Sequence, residues 1–324
     1  MPVVLSGDEN GVRFAAELIR SGDLVVVPTE TVYGLAANAL DEQAVSNIFE
    51  LKGRPSTNPI IVHVCSIDQS TRLGHFQQRA RMLAQHFWPG PLTIVTEAHQ
   101  SIPKIVTAGG GTVGLRMPKH QLTLDVIRLS GLPIAAPSAN RSENISPTTV
   151  GHVIRSFGES APPILDGGPC AVGIESTVVD VTGRSPRILR PGAITRQQIE
   201  EVLGETVGFG EKGEIHRSPG QMVRHYAPQT PTALDKRPFK LQSTISRRGL
   251  LTYTSETEDE TFFAEVVRLP DDPDGYAKDL YAALHLLDMA ALDLITIEEP
   301  PDSDDWLAVR DRLRRASAPR LKLQ

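Results

Sequence analysis

The sequence predicts an α/β protein of two domains, a larger one on a sheet that mixes parallel and antiparallel strand pairs and a smaller α/β one behind it. Short β-branched runs alternate with stretches of helical apolar spacing, which is the pattern of that class. The alternation lapses over residues 211–231 and then resumes, and 324 residues exceed what a single core usually serves.

Residues 11–21 carry Val12, Ala15, Ala16, Leu18 and Ile19 at helical spacing, with Gly22 where a C-cap is expected. The run 24–27 reads as a strand, residues 42–51 as a helix and 60–64 as a second β-branched strand. Further strands are expected at 92–96, 113–116, 134–136 and 177–181, with helical stretches near 80–86, 122–130 and 149–157 between them. Some connections are too short for a helical crossover, so antiparallel pairs join the parallel ones. From 211 to 231 glycine, proline, histidine and arginine replace the periodicity, as in an interdomain linker. Strands at 248–253, 266–269 and 294–298, an amphipathic helix over 276–291 and a last helix over 306–316 make the second unit. Arg310, Arg312, Arg314 and Arg315 of that last helix suit the negative end of its dipole. The division is 1–210, 211–231 and 232–324.

Composition narrows the function. Apolar residues at 40% allow a full core, and no run approaches the roughly 18–20 apolar residues of a membrane helix. The first ten residues carry acids where a signal peptide carries bases, so a cytoplasmic protein is expected, with no membrane contact. Cys65 and Cys170 are too few for a disulfide scaffold or a thiolate metal cage and read as buried free thiols. The net charge of -6 disfavours a general nucleic-acid binder, yet residues 51–158 hold 11 basic against 4 acidic side chains. That local excess suits an anionic ligand: a nucleotide, a pyrophosphate or an RNA backbone.

Open α/β sheets bind ligands beyond the carboxyl ends of their strands, and polar motifs cluster there. PTETVYG (28–34) follows the first strand; Thr29 and Thr31 are capping hydroxyls or ligand groups, and Tyr33 is a core ring or a ligand contact. KGRPSTNP (52–59) places Lys52 and Arg54 around a glycine ahead of a strand, which either cradles a triphosphate or is a solvated basic turn. It is not a P-loop. His63 stands at that strand's end. Arg116, between Leu115 and Met117, needs an anion, either a ligand's or a protein carboxylate. In APSANRS, Ser138 and Asn140 lie just past a strand, while Ser146, Pro147 and Thr148 read as the cap of the next helix. GIESTVVD (173–180) and ILRPG (188–192), with Arg190 at another strand end, complete the set. A GxGxxG that follows a strand and opens a helix, a serine nucleophile elbow and zinc-ligand spacing are all missing, which removes support for hydride transfer, acyl hydrolysis and metallohydrolase chemistry.

PTETVYG, KGRPSTNPIIVH, APSANRS, ISPTT and GIESTVVD, in this order, resemble the YrdC-type family of threonylcarbamoyl-AMP synthases. SPG (218–220), RHYAP (224–228) and YAKDLYAALHLLDMAALD (276–293) extend the resemblance to the family's long two-domain form. Two departures stand out. The family usually has Ser-Gly after the SAN motif, where this chain has Ser142 and Glu143, and the linker reads QMV where Met-Lys-Tyr is common.

The resemblance implies a YrdC-like twisted open mixed sheet with helices and a smaller C-terminal Rossmann-like domain. It also implies adenylylation of carboxylated L-threonine, from ATP and bicarbonate, for tRNA modification. By that resemblance Lys52 and Arg54 are catalytic and, with Asn58, Ser138, Asn140 and Arg190, hold ATP. Thr31, His63, Arg116 and Ser176 line the threonine pocket. Mg²⁺ is carried by the triphosphate with few protein ligands, and the product passes to a tRNA threonylcarbamoyl transferase complex, with contact to tRNA itself an open point. The linker's cations and aromatics between prolines suggest a lid, with Tyr226 against the nucleotide. A non-catalytic double-stranded RNA or tRNA-binding module and a carbamoyl-transferring maturation domain are the alternatives.

Overall fold

The computed structural model describes residues 2–210, 224–237, 239, 247–255 and 258–319. Among the described residues eleven strands form one sheet: β1 (Val4–Leu5), β2 (Val25–Val27), β3 (Gly34–Asn38), β4 (Val62–His63), β5 (Leu92–Glu97), β6 (Thr112–Arg116), β7 (Ile134–Ala135), β8 (Ile164–Leu165), β9 (Thr177–Asp180), β10 (Arg187–Arg190) and β11 (Gly208–Phe209). Their order is β1-β8-β2-β3-β7-β4-β6-β5-β9-β10-β11. Parallel pairs such as β4 with β6 alternate with antiparallel ones such as β2 with β3, so the mixed sheet expected from the short connections is found.

The helices are α1 (Glu9–Ser21), α2 (Glu42–Lys52), α3 (Ile67–Thr71), α4 (Gln78–Phe87), α5 (Gln121–Ser130), α6 (Val150–Phe157) and α7 (Arg196–Leu203). Strand pleating sorts the core onto two faces. Val26 and Leu35 pack with Ile48 of α2 and Leu83 of α4, whereas Val25, Val27 and Ala36 pack with Ile19 of α1 and Ile127 of α5.

The second unit is a four-stranded all-parallel sheet, β12 (Thr232–Asp235), β13 (Arg248–Thr252), β14 (Glu265–Arg268) and β15 (Leu294–Glu298), in the order β12-β15-β13-β14. Its helices are α8 (Pro273–Met289) and α9 (Leu307–Ala316). The two units share a core: Val32, Ile145, Ile174 and Tyr226 pack with Tyr276, Tyr281, Leu284 and Leu313. Gly173 is required at that junction. Its φ is 82°, and a Cβ there would meet Lys278 O of α8 at 2.2 Å.

Some elements differ from expectation. The run 60–64 keeps only Val62–His63 as strand, because Ile60 N–H donates instead to Val106 O in a loop. α6 is capped by Thr149, which accepts from His152 N–H, and not by residues 146–148. Strands β3 and β12 and helix α7 carry little periodic signal: β3 is glycine- and alanine-rich, and α7 buries Ile199 alone. Cys170 is buried as expected, but Cys65 is only half-buried. The α9 arginines differ most. Arg314 and Arg315 lie in the last turn as expected, but Arg310 and Arg312 are buried, Arg310 pairing with Asp302 of its own unit and Arg312 with Glu175 across the interface.

Candidate active site

Strand ends on the larger sheet converge on one cavity walled by Thr31, Arg54, His63, Arg116, Ser138, Glu175, Arg190, His225 and Tyr226, among others. Pairing explains the first contacts. β4 and β6 run parallel with His63 opposite Arg116, so both strands deliver their last residue to the same point. Ser138 arrives through a bridge to Gly34 at the start of β3.

The turn 28–34 resolves by hydrogen bonding. Thr29 Oγ1 donates to Val32 O at 2.6 Å and accepts from the N–H groups of Thr31 and Val32, both at 3.2 Å, so it builds the turn. Its proton being committed, the 2.9 Å contact with Thr31 Oγ1 has Thr31 donating. Thr31 then keeps its lone pairs for the cavity. Tyr33 is a core ring whose hydroxyl donates to Gly168 O at 2.7 Å.

α2 ends at Gly53 in the left-handed region, φ 61°, which turns the chain so that Lys52 and Arg54 diverge. Lys52 is buried and does not line the cavity: Nζ donates to Ser138 O and Asn140 O, each at 2.5 Å. Burial, with Arg54 nearby, lowers its pKa well below the ordinary value. Arg54 does face the cavity. Its Nη2 donates to Pro59 O at 3.0 Å, its Nε has no protein partner, and burial pushes the guanidinium down to about 10. Asn58 and Asn140 stand behind the wall. Asn140 Nδ2 donates to Arg141 O and Asn144 O, shaping the loop, and the Oδ1 atoms of both asparagines are buried without a partner.

Arg116 has a protein carboxylate beside it: Nη2 lies 2.8 Å from Glu30 Oε1, and both residues are buried. The contact is an ion pair without hydrogen-bond alignment, since those atoms count among the buried polar atoms lacking a hydrogen-bond partner. Nε donates to Gly90 O at 3.3 Å. Burial first, and Arg116 second, push His63 down to about 3, so its ring is neutral at ordinary pH. Ser176 lies behind Arg190, which donates Nε to Ser176 O and Nη2 to Ser176 Oγ, both at 3.1 Å.

The segment 224–228 closes the cavity. Ala227 N–H donates to Glu143 O at 2.9 Å, and Ala227 bridges Asn144 in parallel. Glu143 adopts φ 68°, a left-handed conformation that glycine enters without strain. Tyr226 also sits at positive φ, 59°, its ring fully buried and its hydroxyl without a partner. His225 is buried beside it and burial pushes its pKa to about 3. Residues 211–223, including His216, Arg217 and the SPG and QMV segments, lie outside the described residues.

Three arginines and one carboxylate, Glu175, face this space, and that carboxylate is itself tied to Arg312 at 3.0 Å. The cavity measures about 50 Å³, well short of the roughly 300–1,000 Å³ of ligand pockets. His225 and Tyr226 form part of its wall. A neighbouring groove of about 720 Å³ is wider but holds Glu97 and no lysine or arginine, which suits an anion poorly. Sequence reasoning missed Glu30 and Glu175, which lie inside motifs quoted for other residues.

The chain matches the Sua5/YciO/YrdC family, described as telomere recombination, over residues 17–192, and the threonylcarbamoyl-AMP synthase C-terminal domain over 194–318. A threonylcarbamoyl-AMP synthase of Pyrococcus abyssi is 41% identical, with 97% of this chain and 96% of the relative covered. One of Bacillus subtilis is 40% identical over 98% and 96%. A putative one of Mycobacterium tuberculosis is 38% identical over 60% of this chain and 89% of its own length. The crystal structure of P. abyssi Sua5 complexed with L-threonine superposes with a TM-score of 0.89 at 40% identity, covering 98% and 97% of the two chains. Escherichia coli YciO shares the fold of the first unit, TM-score 0.52 at 18% identity over 59% of this chain and 95% of that one. Matched along both its units, the chain belongs to the Sua5/YciO/YrdC family, as a two-domain member of its threonylcarbamoyl-AMP synthases.

Proposed function

We propose that this cavity binds ATP and L-threonine and joins them, after carboxylation of the amine by bicarbonate, into threonylcarbamoyl-AMP and pyrophosphate. One observation carries the reading: Arg54, Arg116 and Arg190 converge from three separate segments on a buried space. In-line attack of a carbamate oxygen on the α-phosphate gains most from cations placed in advance on the nonbridging and leaving oxygens. Arg54 and Arg190, with Ser138 and Tyr226, take the nucleotide. Lys52, Asn58 and Asn140 support that wall from behind. Thr31, His63 and Arg116, backed by Ser176, take the amino acid, Arg116 pairing the carboxylate on an edge away from Glu30. Neutral His63 accepts or donates one hydrogen bond and adds no charge to the amino-acid side.

Among the described residues no three His, Cys, Asp or Glu side chains gather as a metal cage. Mg²⁺ in this reading travels with the triphosphate, where it screens the charge, and takes few protein ligands. Before exchange, the 224–228 segment must open, since the closed cavity is smaller than a nucleotide. Closure keeps water from the carbamate and the mixed anhydride. The product is proposed to pass to a tRNA-modifying transferase.

Burial weighs against the RNA-binding alternative. Lys52, Arg54, Arg116 and Arg190 are each less than a tenth exposed, beyond the reach of a duplex backbone. The test is pyrophosphate release from ATP, which must require threonine and bicarbonate together; release with carbamoyl phosphate and no threonine would favour the maturation-domain alternative.

A further inference from the structure

The second unit reaches the cavity wall through one fully buried cation, Arg312 of α9. Its Nε donates to Glu175 Oε2 at 3.0 Å and its Nη2 to Glu175 O at 3.2 Å. Nη1 donates to Pro191 O at 2.8 Å and to Asp311 Oδ2 at 3.1 Å. The guanidinium carbon stands 5.3 Å from the centre of the Tyr226 ring. Glu175 immediately precedes Ser176, and Pro191 immediately follows Arg190. One guanidinium therefore grips both chain segments that carry the Arg190–Ser176 pair, together with the ring that closes the cavity.

The surroundings leave little slack. A Cβ at Gly192 would lie 2.3 Å from Thr177 N, so the two gripped segments are already as close as backbone allows. Glu175 also accepts from Ser146 Oγ at 2.6 Å and from Tyr281 OH of α8 at 2.9 Å. Burial alone would raise its carboxyl, but Arg312, Arg190 and the Ser146 hydroxyl hold it at about 2. A buried ion pair of this kind is no better for stability than well-packed apolar residues of the same volume. Its distinctive property is geometry: a rigid fork with fixed donor directions.

We infer that Arg312 is a positioning residue for nucleotide binding, a second-domain cation that fixes Arg190, Ser176 and the Tyr226 ring without touching the ligand. The inference rests on the proposed assignment of Arg190 and Tyr226 to ATP. It makes the second unit part of the ATP site.

The test uses the full chain with Arg312→Lys, which keeps the charge and loses the fork, and Tyr281→Phe, which removes one bond to Glu175. Leu280→Ala, in the apolar core that the two units share, is the control for plain destabilisation. Arg312→Lys is expected to raise KM for ATP about tenfold and KM for threonine much less, since a point charge replaces four directed bonds. Tyr281→Phe should raise KM for ATP by about threefold, one neutral donor's worth. Leu280→Ala should lower Tm with both KM values unchanged. Titration with ATP alone should show the same rise in Kd. Wild-type ATP affinity in a folded Arg312→Lys, or the same loss in Leu280→Ala, would overturn the inference. If Arg312→Lys does not fold, unchanged ATP affinity in Tyr281→Phe overturns it. Wild-type protein that binds ATP but releases no pyrophosphate would refute the proposed reaction instead, and the titrations would still decide the role of Arg312.

Discussion

At the scale of single residues, the two cations of KGRP divide their work. Arg54 presents an unpaired Nε to the cavity, whereas the Lys52 amine is spent on two carbonyls of the loop carrying Ser138 and Asn140. Arg54→Ala should lower turnover by at least about tenfold with the melting temperature nearly unchanged. Lys52→Ala should lower both, because two buried carbonyls lose their donor at about 1–3 kcal/mol each. Parallel turnover and melting measurements separate the two; normal turnover in both would remove this segment from the chemistry. Arg116→Lys tests the amino-acid side. An ammonium beside Glu30 cannot reproduce bidentate pairing of a ligand carboxylate, so the threonine requirement should rise more than the ATP requirement. Equal changes would place Arg116 elsewhere. The sequence made Arg116's need for an anion legible, because an arginine among apolar neighbours must be paired. It did not make Glu30 legible as the partner, since the pairing joins a turn to a strand end 86 positions away and depends on sheet order.

At the scale of elements, the segment 224–228 decides access. Tyr226 at positive φ, its hydroxyl buried without a partner, is a strained residue held by its surroundings, and such residues mark sites that move or bind. Tyr226→Ala should lower product formation, and truncation after Gly210 should lower it further while leaving a folded, threonine-binding domain. Full activity in the truncated chain would reject the lid, a result made conceivable by a relative that matches only 60% of this chain. The linker was readable as more than a spacer from its histidine, tyrosine and arginines. Most of the larger sheet was readable from β-branched runs. β3 and α7 were not: GLAAN lacks β-branched residues, and RQQIEEVL shows a single buried apolar position, so their placement comes from tertiary packing.

At the scale of the whole molecule, the junction of the two units adds buried polar pairs, which no periodicity announces, to its apolar core, and the charge pattern of α9 did not show that Arg312 belongs to it. One such pair gives the junction a pH dependence. His152 of α6 and His285 of α8 stack with ring centres 3.9 Å apart, and His285 Nε2 lies 3.2 Å from Ser146 O. Burial, with His285 and Arg155 adding to it, pushes His152 down to about 3, and burial pushes His285 down to about 4. Both stay neutral in the folded chain while the unfolded chain protonates near 6.5, so their contribution to stability is fully present above about pH 6.5 and is lost progressively as pH falls through about 4 and then about 3. His285→Phe should flatten the acid side of a melting-temperature profile; an unchanged profile would show that the stack does not titrate.

The central claim is that ATP, threonine and bicarbonate meet in this one cavity, and mass spectrometry of the product formed with isotopically labelled bicarbonate tests it most directly. The account predicts threonylcarbamoyl-AMP carrying the label in its carbamoyl carbon, formed with pyrophosphate and lost in Arg54→Ala. An unlabelled adenylate, or none from folded wild-type protein supplied with all three substrates, would contradict it.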